Sequence, residues 1–114
     1  MSISYDDVGE SLRRIVISGR LDTPGTNSVA SQLVELAAAP KKGVVVDLSA
    51  VNFLASIGIR ALITSAKAVQ QRGGKMTLVV RKGSTVVMSL KATGVDELIP
   101  VFNNVVDAER AVVA

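Results

Sequence analysis

Three consecutive valines, Val44 to Val46 in the run "GVVVDLS", set the terms on which this chain can fold. A continuous β-branched run has no polar face, so a strand built from it must be covered on both sides. With 114 residues there is room for one domain and one core, spanning 1–114. The cover therefore has to come from helices of the same domain, layered on a sheet.

The rest of the pattern agrees. "RRIVISG" carries Ile15, Val16 and Ile17 and reads as a strand stopping at Gly19. "KMTLVVR" repeats the apolar character from Met76 to Val80. "LIPVF", Leu98 to Phe102, is weaker, and Pro100 confines it to a sheet edge because proline cannot donate to a ladder. Ser2 to Tyr5 could add a short edge strand.

Between these runs the period changes to that of a helix. "TNSVASQLVELAAAP" places Val29, Leu33, Leu36 and Ala37 on one face, with Pro40 as its stop. "SIGIRALITSAKAVQQRGG" places Ile59, Leu62, Ile63, Ala66 and Val69 on one face, and Gly73-Gly74 supplies a left-handed end. "STVVMSLKATG" opens on a cap at Ser84, and "NVVDAERAVV" follows a cap at Asn104. The expectation is an α/β domain: a mixed, largely parallel sheet of four to five strands covered by about four helices.

Composition excludes several kinds of chemistry. The only aromatics are Tyr5, Phe53 and Phe102, so the core is aliphatic. The chain has no Cys and no His, which removes disulfides, thiol nucleophiles, Cys/His zinc sites and histidine acid–base catalysis. The N-terminus lacks a signal peptide's basic and apolar regions, and no apolar stretch approaches the ~20 residues of a membrane helix. A cytoplasmic protein without a membrane partner is expected. The net charge is +3, but the basic residues are scattered, and no aromatics stand ready to stack on bases. Nucleic acid is not an expected partner.

No catalytic constellation emerges. "RGGK", Arg72 to Lys75, follows a helix and precedes a strand, the reverse of a phosphate loop. Asp22, Asp47, Asp96 and Glu97 have no spacing that forces them to converge. Asp47 is better placed to order a turn.

Ser56 differs in its position. It stands between the Val44–Leu48 strand and a helix beginning at about Ile57, which puts it at the N-cap. There its oxygen would accept from the amide of Gly58 or Ile59, and Ser56→Ala would cost about 0.5–2 kcal/mol. A hydroxyl at the carboxyl edge of an α/β sheet also stands where such folds place their sites. Phosphate added there would meet the positive end of a helix dipole, with Gly58 leaving room beside it.

Four segments, in order and at the right spacing, resemble a STAS domain of the anti-sigma factor antagonist family. They are "GRLDT", "VVVDLSAVNFLASIGIRAL", "RGGKMTLVV" and "LKATGVDELIPVF", and together they cover almost the whole chain. The resemblance implies that Ser56 is a phosphorylation site. It implies a partner that is both an anti-sigma factor and an ATP-dependent serine kinase. Unmodified antagonist binds that kinase and frees a sigma factor; the phosphorylated form does not bind, and a metal-dependent serine phosphatase restores it. Such a protein regulates transcription, as in stress responses, by switching partners. It is not an enzyme and uses no cofactor or metal.

Ala55 stands where the family often has Asp, Ile57 where it often has Ser or Thr, and Arg60 where a small residue is common. If a partner covers Ser56, the expected contacts are Asp22, Thr23, Asn52, Phe53, Leu54, Ser56, Gly58 and Arg60. A second copy of the chain, in a homodimer, is a further candidate partner. The alternative from a different class is a STAS accessory subunit of a lipid-transport ATPase, or another STAS interaction module that is not phosphorylated. A nucleotide-binding domain is disfavoured by the missing phosphate loop.

Overall fold

The computed structural model describes residues 2–39 and 41–113. Five strands lie in the order β1-β2-β3-β4-β5. They are β1 (Ser2–Val8), β2 (Leu12–Leu21), β3 (Gly43–Leu54), β4 (Lys75–Val79) and β5 (Val101–Phe102). β1 pairs antiparallel with β2, and every other pair is parallel. The intervening helices are α1 (Thr23–Ala37), α2 (Ser56–Gln71), α3 (Thr85–Ala92) and the single turn α4 (Val95–Leu98), and α5 (Val105–Val113) ends the chain. The helix expected to stop at Pro40 extends through Ala37, and Pro40 itself lies outside the described residues.

The three valines behave as their sequence requires. Val44, Val45 and Val46 are each 0% exposed. Val44 and Val46 belong to the larger core, with Leu33 of α1, Leu62 and Val69 of α2 and Leu90 of α3. Val45 faces the opposite layer, with Leu12, Val79 and the α5 residues Ala108 and Val112. Each fully buried aliphatic side chain of this size contributes about 1.5–3 kcal/mol by leaving water. Polar contacts fix α5 on its face. Thr77 Oγ1 donates to the Ala108 carbonyl at 3.0 Å, and Arg14 Nη2 pairs with Glu109 Oε2 at 2.5 Å.

The structure differs from expectation mainly at the strand ends. β2 does not stop at Gly19, and β3 does not stop at Leu48. The two continue side by side, pairing Ser18 with Ala50, Gly19 with Val51, Arg20 with Phe53 and Leu21 with Leu54. The register shifts twice along this stretch. Gly19 has φ 101°, which only glycine adopts without strain, so the irregularity passes through it instead of ending the strand. Asp47 lies inside β3 and orders no turn; its Oδ1 accepts from the Ser49 amide at 2.9 Å and the Ser49 hydroxyl at 2.6 Å, where the extension begins.

Candidate functional site

The extension of β2 and β3 builds a small platform at the carboxyl edge of the sheet. At its end the Ala55 amide donates to the Leu21 carbonyl at 3.0 Å, holding the start of α2 against the start of α1. Arg20, exposed at the end of β2, lays its guanidinium over the Phe53 ring, 4.4 Å from the centroid. Its Nε also approaches Asp22 Oδ2 at 3.4 Å. Asp22 caps α1, its Oδ1 accepting from the Gly25 amide at 2.9 Å. That backbone hydrogen bond, with help from Arg20, holds the Asp22 carboxyl below its ordinary range.

The expected N-cap role of Ser56 is corrected by the structure. Ala55 occupies the cap position, with φ −88° and ψ 168°, and no side chain caps the helix. Ser56 is the first helical residue and is exposed. One residue's displacement decides this: a side chain at the first helical position no longer reaches back over the free amides as a cap does. The room expected beside Gly58 is also absent. A Cβ there would lie 2.8 Å from Leu54 Cδ1, 2.9 Å from Leu21 Cβ and 3.1 Å from the Leu21 carbonyl oxygen. Gly58 is buried, and what it permits is the close approach of α2 to the end of β2.

A family model described as STAS domain matches residues 8–108. The chain is a STAS-domain protein. Solved structures with its fold include an anti-sigma factor antagonist from Mycobacterium paratuberculosis. That protein is 26% identical with a TM-score of 0.86, over 99% of this chain and 96% of the other. An anti-sigma-factor antagonist (STAS) domain protein from Planctomyces limnophilus is 23% identical with a TM-score of 0.80, over 96% and 95%. The Bacillus cell fate determinant SpoIIAA in its phosphorylated form is 12% identical with a TM-score of 0.69, over 96% and 99%. No curated protein matches the sequence.

In this STAS domain the residues singled out from sequence divide in two. Thr23, Asn52, Ser56 and Arg60 are exposed, and Phe53 is 39% exposed although it is a large apolar side chain. Arg60 lies one helical turn beyond Ser56 and so shares its face. Asp22 is half-buried in its capping role, while Leu54 and Gly58 point into the core. Arg20 was missed by sequence reasoning. The signal was the "GRLDT" segment itself, but Gly19 read as a strand end, which hid the pairing of Arg20 with Phe53. Neighbouring hydroxyls are engaged elsewhere: Ser49 on Asp47, and Thr64 on the Arg60 carbonyl at 3.0 Å. Among the described residues no group of three or more His, Cys, Asp and Glu could hold a metal ion, and no helix is long and apolar enough to cross a membrane.

Proposed function

We propose that this STAS domain is an anti-sigma factor antagonist whose binding is switched off by phosphorylation of Ser56. The observation that carries the reading is the placement of that hydroxyl. It is exposed at the first residue of α2 and does not cap the helix, and it follows shortly after the exposed Phe53, over which Arg20 lies. The solved structures described as anti-sigma factor antagonists, and that of the cell fate determinant SpoIIAA in its phosphorylated form, support the same reading.

The chemistry follows from the position. Phosphate would add roughly −1.5 to −2 charges. The first turn of α2 holds no acidic residue, so the free amides and the positive end of the dipole favour the new charge. The fold therefore tolerates modification. A partner packed over Phe53 and Ser56 does not, because it would have to strip water from an unpaired phosphate. The partner proposed is an anti-sigma factor with ATP-dependent serine kinase activity, reversed by a metal-dependent serine phosphatase. The binding surface comprises Thr23, Asn52, Phe53, Ser56 and Arg60, with Arg20 added.

The test is phosphopeptide mapping of the protein isolated from its own cells, with a parallel pull-down using wild type and Ser56→Asp. Phosphate on Ser56, and a kinase-fold partner retained by wild type but lost by Ser56→Asp, are the expected results. Phosphate chiefly on Ser49 or Thr64 would defeat the assignment.

A further inference from the structure

On the far side of the sheet from β1, the fold leaves a cavity of about 620 Å³ between α3 and the last strand. Val101 and Phe102 pair with Leu78 and Val79 at the carboxyl end of β4. Both strands stop there, and the cavity lies where the segments beyond them, Val80 to Ser84 and Asn103, diverge beside α3. Interiors normally close such gaps, and ligand pockets typically measure about 300–1,000 Å³. The floor is apolar: Val80, Val87, Leu90, Val101 and Phe102. Val80 and Leu90 are buried, while Val87, Val101 and Phe102 are half-buried.

The rim is charged. Lys82 and Lys91 line the cavity and are exposed, and Asp96 is the one carboxylate among the lining residues. Among the described residues none of the three belongs to an ion pair. Two ammonium groups against one carboxylate leave a net charge of one positive unit. That balance suits a single negative charge and disfavours a polyanion, which would meet Asp96. The cavity also opens at the carboxyl ends of parallel strands, the edge at which α/β sheets receive ligands. None of the residues around Ser56 lines it.

We propose that this cavity binds a small amphiphilic monoanion: an apolar body against the floor, with one carboxylate held between Lys82 and Lys91. The inference stands independently of phosphorylation at Ser56.

The test uses sodium octanoate, with octanol as its uncharged counterpart, followed by amide chemical shifts of the full chain. Octanoate should give saturable shifts centred on Val80, Val101 and Phe102, and should bind at least tenfold more tightly than octanol. The double variant Lys82→Glu/Lys91→Glu should lose at least tenfold in octanoate affinity. Lys42→Glu/Lys75→Glu, with the same change in net charge at the other end of the sheet, should bind like wild type. All these side chains are exposed, so both variants should fold, and their melting curves check it. Ser56→Asp should bind octanoate unchanged, which separates this site from the switch. The proposal is overturned by shifts that do not saturate at the cavity, by octanol matching octanoate, or by equal affinity of the two double variants.

Discussion

Ser56 should tolerate added charge, because Ala55, not Ser56, holds the cap position. Removing the hydroxyl leaves no amide newly unpaired, so Ser56→Ala should alter stability by less than about 0.5 kcal/mol, as surface substitutions do. Ser56→Asp should be more stable than wild type by about 0.3–1 kcal/mol, since a carboxylate in the first turn of a helix favours the dipole. Urea unfolding measures both, and a loss of more than about 1 kcal/mol in Ser56→Ala would restore the capping role. Gly58 carries the opposite expectation. Alanine gains about 1 kcal/mol of helix propensity there, but its Cβ would press on Leu21 Cβ and the Leu21 carbonyl, neither of which can swing aside. Overpacking of this kind costs about 1–3 kcal/mol, so Gly58→Ala should be net destabilising in the same assay.

At the scale of elements, the start of α1 should make the protein sensitive to acid. Asp22 accepts the Gly25 amide in the folded state, and that bond holds its carboxyl below the ordinary carboxylate value. A depressed carboxylate contributes stability that is present above the unfolded value and lost as pH falls through the folded one. Thermal melts should therefore fall from about pH 4 downward, and the decline should be shallower in Asp22→Asn, which keeps a capping oxygen without a titrating group. Equal slopes would show that Asp22 contributes nothing to acid lability. How much of this was legible in the sequence depended on how local each signal was. The valine run, the Gly73 helix end, and the Ser84 and Asn104 caps are decided by a few adjacent residues, and all are found where expected. The length of β3 was not legible, because Ala50 and Asn52 are poor strand formers and the extension rests on the pairing of Ala50, Val51, Phe53 and Leu54 with β2, a long-range fact, with Ser49 and Asn52 at the two register shifts. The role of Ser56 followed from that boundary: its identity and exposed edge could be read, but whether it or Ala55 was the cap turned on one residue of register.

Over the whole molecule, the two cores hold the sheet from both faces and leave its carboxyl edge free to meet a partner. Arg20 and Phe53 are fixed by the backbone pairing of β2 with β3, and the start of α2, with Ser56 and Arg60, by the Ala55 amide on the Leu21 carbonyl, so modification should alter the charge of this surface and not its shape. Arg60→Ala should weaken the partner complex, while Lys82→Ala, on the cavity rim, should leave it unchanged. Phosphate on Ser56 alone should separate the bound state from the free one. Isothermal calorimetry of unmodified and stoichiometrically phosphorylated protein against the cognate anti-sigma kinase measures the difference. Phosphorylation should cost well beyond tenfold in affinity, more than about 1.4 kcal/mol, with both forms melting cooperatively. Equal affinity of the two forms for the kinase would rule out the switch.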